Sequence, residues 1–297
     1  MIMNFFSKAE WTSLTSIRFV INDDMKISDI RKSLHISTSR WEDFLLSHPH
    51  NALLHKDELF TVSKKPDIDF GPLSFESIEV VYEDEICIIV NKPPFLLVHS
   101  DGNTEDTLQA RVNAYLNRSH PYKAGVVHRI DTETSGLVLF CKNPLFQSYF
   151  DDLFAGHDIE KYYLAVLEGV IHKKNYTINK PIGRNRHEAK KMMVIPTGKD
   201  ARTEFHVLNT KTNLSLVEAR IYTGRKHQIR VHAAWAKHPV YNDSLYGTVH
   251  NKKGLMLECS RLVFTHPLTK EKIDIAADLD PRFISYFSDK KHPDNTR

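Results

Sequence analysis

The sequence predicts an α+β protein: a mixed, largely antiparallel sheet flanked by helices, with a small N-terminal domain in front of it. Strand-like and helix-like segments follow one another without a regular strand–helix–strand rhythm, which argues against a doubly wound parallel sheet. The 297 residues are 41% hydrophobic and 26% charged, enough to bury one large or two modest cores and incompatible with disorder, collagen or a coiled coil. A polar, proline-bearing stretch, Lys64-Lys65-Pro66-Asp67-Ile68-Asp69-Phe70-Gly71-Pro72, interrupts the pattern. A boundary is therefore expected near residue 75, giving a small domain over 1–75 and a larger one over 76–297.

Taken in order, residues 26–62 read as short helical pieces followed by a hairpin. Ile86–Asn91 is a run fit for a buried strand, and 108–116 reads as a helix behind Thr107, a residue whose hydroxyl can cap it. A second buried strand is expected at 137–141 and a helix at 143–155. Strands follow at 162–167 and 203–208, and Val217, Ala219 and Ile221 alternate with Glu218 and Arg220 as in a half-exposed strand. The residues from His227 to Lys237 form the helix with the most functional character. Short strands at 262–265 and 272–275 and a helix at 281–287 close the chain. Glycine is scarce, 11 residues, so no glycine-rich repeat is built and the glycines present should sit at demanding backbone positions.

Mean hydropathy is −0.38, and the longest apolar runs fall far short of the roughly 20 residues of a membrane span. The opening Met1–Glu10 segment reaches an acidic residue with no basic or apolar leader region, so a cytoplasmic protein is expected. Cys87, Cys141 and Cys259 lie apart in apolar stretches and read as buried thiols rather than metal ligands or disulfides. The net charge of +3 conceals an asymmetry: residues 1–90 hold 9 basic and 15 acidic residues, whereas 91–297 hold 31 and 22. The window His172–Arg202 alone has 9 basic residues against Glu188 and Asp200, which suits either a solvated loop or a track for a polyanion.

Polar residues concentrate in two places. In His128-Arg129-Ile130-Asp131-Thr132-Glu133-Thr134-Ser135-Gly136, a carboxylate stands in a loop at the mouth of a strand, two residues from an arginine. Asp131 there is either a nucleophile or base held ionised by a cation, or the cap of a tight turn. In Thr223-Gly224-Arg225-Lys226-His227-Gln228-Ile229-Arg230-Val231-His232, helical spacing puts Arg230 on the face with His227, Val231 and Ala234. An inward arginine at a helix start opposes the helix dipole and calls for a carboxylate; the alternative is a turn of surface cations. Two weaker pieces are Asn91-Lys92-Pro93-Pro94-Phe95-Leu96-Leu97-Val98-His99 and Lys161-Tyr162-Tyr163-Leu164-Ala165, where Tyr163 is a core aromatic or a stacking platform.

In this order, the pieces resemble the RluA-like family of RNA pseudouridine synthases, which modify ribosomal and transfer RNA. Residues 128–137 match its His-Arg-Leu-Asp-x-x-Thr-Ser-Gly-Leu signature with Ile130 for leucine. Residues 223–232 match Thr-Gly-Arg-x-His-Gln-Ile-Arg-Val-His, 161–165 match Lys-x-Tyr-x-Ala, and 238–247 match His-Pro-Val-x-x-Asp-x-x-Tyr-Gly. Arg261-Leu262 with Phe264 and His266-Pro267 resembles the family's last strand, so the likeness spans roughly 78–275. The chain departs from the pattern at Phe95, where the family has glycine, and at Glu258-Cys259, where it often has His-Ala. An S4-like RNA-binding domain is only faintly echoed in residues 27–62, whose acidic surroundings suit phosphate poorly.

The resemblance implies a pseudouridine synthase-like fold and an isomerase that detaches uracil at N1, turns it and rejoins it through C5, on a base taken out of the stack. It assigns Asp131 as the catalytic carboxylate, Arg230 as its partner and Tyr163 as the platform for the base. It places Arg129, His128, Thr134, Lys161, Arg225, His227, Gln228 and Ile229 at the substrate, Arg129 filling the vacated position in the RNA. No cofactor or metal is implied. The expected partner is RNA, ribosomal ahead of transfer RNA, rather than DNA or a membrane, and the expected state is a monomer. Two rival readings remain. One is a non-catalytic RNA-binding protein; the other is a hydrolase using Ser135, His128 and Asp131, which lie close together in one loop and lack a Gly-x-Ser-x-Gly elbow.

Overall fold

Apolar side chains on both faces mark a strand covered on both sides of its sheet, and two such runs stand side by side in this one. The computed structural model describes residues 6–67, 69–117, 119–248 and 254–287, without the side chains of Phe6, Ser7 and Ile284. The opening residues 1–5 and Ile68 of the proline-bearing stretch lie outside the described residues. Ser135–Cys141 is buried at every position and pairs antiparallel with Cys87–Lys92, from Gly136 opposite Lys92 to Cys141 opposite Cys87. The main sheet runs in the order Asn175–Asn179, Arg202–Lys211, Leu214–Ile221, Glu160–Glu168, Leu257–Thr265, Ser135–Cys141, Cys87–Lys92, Glu79–Glu83. Lys272–Ala276 pairs with Leu257–Thr265, and Gly125–Val126 with Ser135–Cys141. Among the described strand pairs, only Ser135–Cys141 against Leu257–Thr265 is parallel. The fold is thus the mixed, largely antiparallel α+β arrangement expected from the sequence.

Local signals account for several elements closely. The helix Leu108–Leu116 starts where the Thr107 side chain accepts the Ala110 N–H at 3.2 Å. In Leu214–Ile221, Ser215, Val217, Ala219 and Ile221 are the buried set, as the alternation requires. The segment expected as one helix over 143–155 is a 3₁₀ turn, Pro144–Phe146, followed by the α-helix Gln147–Ala155, with the Asn143 side chain accepting from Leu145 N–H. The three cysteines are buried and unpaired with one another.

Two regions differ from expectation. Phe6–Ser13 and Ser16–Ile21 form a hairpin that heads a separate four-stranded sheet with Leu59–Ser63 and Leu45–Leu46, ahead of the first element expected from the sequence, with Ile17, Phe19 and Ile21 turned inward. The basic window contains a second hairpin, Ile182–Arg184 with Met192–Val194, which docks on the helix Gln228–Trp235 through Ile182, Ala201 and Val231. Arg184, Arg186, Lys190 and Lys199 on or beside it are exposed. The four-stranded sheet and the main sheet share one hydrophobic cluster, which runs from Ile17 to Phe264, and polar contacts join them as well, Arg40 Nη1 to Ser148 Oγ at 3.1 Å and His35 to Asp152.

Candidate active site

Because Ser135–Cys141 is apolar and enclosed, its polar chemistry collects in the loop that leads into it. Entry is tight. Gly136 has φ +107°, and a Cβ there would lie 2.3 Å from the Cys259 carbonyl oxygen of the neighbouring strand, so glycine is required by both conformation and space. The preceding loop is held from behind by Lys92, fully buried, whose Nζ donates to the carbonyls of Pro93 (2.9 Å), Leu96 (2.9 Å) and Thr132 (3.0 Å). Its three protons meet three acceptors, while burial pulls its pKa down to about 7 against the pull of the Asp131 charge. Phe95, at the position where glycine was expected, keeps a left-handed φ of +67° and donates its N–H to Thr132 O at 2.7 Å.

The turn is closed by the backbone: Thr134 N–H donates to Asp131 O at 3.1 Å. The Asp131 carboxylate does not cap it. Its Oδ2 faces Arg230 Nη1 at 3.5 Å and its Oδ1 faces His227 Nε2 at 4.0 Å. Arg230, 1% exposed, is the inward arginine that helical spacing predicted. Its main anchor is Asp243, which accepts from Nε at 2.8 Å and from Nη2 at 2.7 Å, while Glu133 accepts from Nη2 at 2.8 Å. Burial works against this charge, but the Asp243 hydrogen bonds and the three carboxylates outweigh it and hold the guanidinium above its ordinary pKa. Glu133 also accepts from Ser244 Oγ at 2.7 Å, linking the loop to the 238–247 stretch.

These groups meet at a cavity of about 240 Å³, whose walls include Asp131, Tyr163, Ile229, Arg230 and Leu257, with Arg129, Arg225 and Lys226 also lining it. That is below the roughly 300–1,000 Å³ of drug-sized sites and suits a single ring. More open clefts exist elsewhere, one of about 490 Å³ beside Glu258, but the paired carboxylate and arginine lie here. Tyr163 is buried, and that burial, with Cys259 behind it, holds its hydroxyl well above the ordinary pKa and hence protonated. Thr134 lines the cavity, and its hydroxyl has no hydrogen-bond partner among the described residues.

Other expected site residues take different places. Gln228 lines the cavity, but its amide is occupied: it accepts from Thr223 Oγ1 and Arg225 N–H and donates to Arg202 O and Thr203 Oγ1. Arg225 turns its Nε to Asp200 O at 2.9 Å. His128 is not brought to the cavity; it stacks on Phe154 with ring centroids 4.6 Å apart and accepts the Leu139 N–H at 3.0 Å. Burial, with Lys161 adding to it, pulls its pKa down to about 3, so it is a neutral structural acceptor. Lys161 also stays outside the cavity lining, its Nζ 5.0 Å from the centre of the same Phe154 ring, and burial lowers its pKa to about 8. Reading the sequence missed Asp243, Glu133 and Lys92 as supports; the demand of an inward arginine for carboxylate was the available signal, without a way to choose its source.

The profile of the RNA pseudouridylate synthase family matches residues 86–235. An uncharacterized RNA pseudouridine synthase of Bacillus subtilis (strain 168) is 35% identical over 225 residues, 72% of this chain and 74% of the relative. The chain belongs to this family. The ribosomal large subunit pseudouridine synthase D of Haemophilus influenzae is 32% identical over 227 residues, covering 70% of this synthase and 69% of its own length. The solved structure of Human RNA Pseudouridylate Synthase Domain Containing 1 is 27% identical with TM-score 0.62, over 73% of this synthase and 89% of that chain. The synthase is accordingly an RNA-modifying isomerase of the RluA type, as the motifs implied. Among its described residues, no helix is long and apolar enough to cross a membrane.

Proposed function

We propose that Asp131 is the carboxylate that acts on a uridine flipped into this cavity, with Arg230 beside it and Tyr163 stacking on the base. The observation that carries this reading is the Asp131 carboxylate itself: it takes no part in closing its own turn and stands in the cavity wall with Arg230 and Tyr163. Arg230 sets its guanidinium beside the carboxylate, and Tyr163 offers a ring face to the uracil. The unpartnered Thr134 hydroxyl and the Arg129, Arg225 and Lys226 cations supply polar contacts for the nucleotide. Breaking the N1–C1′ bond and closing C5–C1′ leaves a proton at C5 to be lost, so the reaction needs proton transfer and no redox step.

The exposed cations of the Ile182–Val194 hairpin, docked on the helix that carries Arg230, form the track for the RNA backbone. Relatives named ribosomal large subunit pseudouridine synthase D favour large-subunit ribosomal RNA as the substrate over transfer RNA. In this reading the enzyme works as a cytoplasmic monomer, and residues 1–75 are a small degenerate S4-like domain beside the catalytic one. Tritium release from RNA labelled at uracil C5 tests it, with ribosomal and transfer RNA lacking the modification offered to wild type and Asp131→Asn. Release by wild type alone, from ribosomal RNA, is expected. Retained release by Asp131→Asn would refute the assignment, and release from transfer RNA alone would replace the substrate.

A further inference from the structure

Beside the Asp131–Arg230 pair stands a tyrosine for which the reaction as described has no use. Tyr246 touches each part of the site. Its backbone N–H donates to Asp243 Oδ1 at 3.1 Å, and the Arg230 guanidinium lies 5.5 Å from its ring centre. Its hydroxyl accepts the Met192 N–H of the basic hairpin at 2.8 Å and sits 2.9 Å from His227 Nδ1. A phenol has one proton to give. With Met192 on an acceptor position, the imidazole nitrogen is the acceptor within reach for that proton; the reverse arrangement, with His227 donating, would leave the tyrosine proton without one.

His227 stands at the start of its helix with a left-handed φ of +57°, and its ring lies between the Tyr246 hydroxyl at Nδ1 and Asp131 at Nε2. Burial, reinforced by Arg230 and Lys226 and opposed by Asp131 and Asp243, keeps the imidazole below its ordinary pKa and so neutral. A neutral ring that accepts at Nδ1 carries its proton at Nε2, and Nε2 is the nitrogen that faces Asp131 Oδ1 at 4.0 Å.

We propose that Tyr246 is a positioning residue that fixes His227 as the Nε2–H tautomer, so that His227 aims a donor at Asp131 Oδ1 while Arg230 faces Oδ2. The same hydroxyl ties the hairpin to the site: two hydrogen bonds, Met192 to Tyr246 and Tyr246 to His227, join the RNA-facing strands to the residue that orients the carboxylate. This rests on Asp131 being the working carboxylate. The tautomer itself does not depend on activity.

Tyr246→Phe keeps the ring beneath Arg230 and removes only the hydroxyl. Long-range ¹H–¹⁵N correlation of imidazole-labelled protein, with the His227 signal assigned from its loss in His227→Gln, should show Nδ1 as the unprotonated nitrogen in wild type. In Tyr246→Phe the Nδ1–H tautomer should become populated. The variant loses both hydrogen bonds of this hydroxyl, and losing the one that orients His227 should lower kcat roughly tenfold with KM within about twofold. In the His227→Gln background Tyr246→Phe should cost no further activity. A wild-type spectrum with a protonated Nδ1, or a Tyr246→Phe effect confined to KM, would overturn the proposal. Full activity in Asp131→Asn would instead refute the role of Asp131, and the spectrum would still decide the tautomer.

Discussion

Asp131 and Asp243 are both aspartates facing the same arginine, yet the geometry assigns them opposite weights in stability and catalysis. Asp243 is fully buried and all its acceptor capacity is in use: Oδ1 accepts from Arg230 Nη2, Leu245 N–H and Tyr246 N–H, and Oδ2 accepts from Arg230 Nε. In Asp243→Asn, if the amide oxygen stays on the Oδ1 side, the NH₂ meets the Arg230 Nε–H, donor against donor, and the buried guanidinium loses its bidentate partner. Breaking a buried ion pair by removing one side costs about 3–5 kcal/mol. Glu133 and Asp131 remain near Arg230, so the lower end, about 3 kcal/mol, is expected. The Asp131 carboxylate makes long contacts, 3.5 Å to Arg230 and 4.0 Å to His227, and its side chain is 24% exposed. Asp131→Asn should therefore change stability by less than about 1 kcal/mol while cutting turnover at least about 100-fold. Urea unfolding with the slope held common measures the first quantity and tritium release the second. Equal destabilisation by the two variants, or a loss under about 1 kcal/mol in Asp243→Asn, would refute this division of roles.

Other outcomes follow from single features. Gly136→Ala sets a Cβ against the Cys259 backbone in a left-handed conformation and should cost about 3 kcal/mol or more, read as loss of soluble, folded protein; a normal urea midpoint would contradict the packing described. Phe95→Gly, at an exposed position with φ +67°, relieves left-handed strain of about 1–2 kcal/mol against a glycine entropy cost of about 0.5–1, so a small gain in Tm is expected rather than a loss. Burial, then the Asp280 charge, push the Glu258 carboxyl up to about 7, against the pull of Arg282. Between pH 4.5 and 7 the folded protein binds this proton and the unfolded chain does not, so stability falls as pH rises through that window, by about 3 kcal/mol at pH 8. Glu258→Gln should abolish that slope; identical urea midpoints for both proteins at pH 8 would count against it. Replacing Arg184, Arg186 and Lys190 with glutamine should flatten the dependence of log K for RNA on log salt by about 2, and an unchanged slope would remove the hairpin from the RNA path.

Most of the catalytic unit could be read from local pattern because its signals are local. A hydroxyl one residue before an apolar helix marks Thr107 as a cap, and uninterrupted apolar runs mark the adjacent buried strands Cys87–Lys92 and Ser135–Cys141. The strand Ser16–Ile21 does carry a local signal, the alternation of buried Ile17, Phe19 and Ile21, whereas the hairpin within the basic window offers none, because charge obscures alternation in strands only three residues long.

Within the site, residue types and motif order were sufficient to bring Asp131, Arg230 and Tyr163 forward as candidates, and the fold gathers all three around one cavity. Which neighbours hold them was settled only in three dimensions. His128 and Lys161 stand in the same motifs as the cavity residues, yet the chain turns both toward Phe154. Asp243, 13 residues beyond Arg230, becomes its anchor only because the 238–247 stretch folds back over the helix. Hydrogen-bond direction and burial depend on what crosses a site from distant segments. A linear pattern names candidate groups, while packing decides what each of them faces.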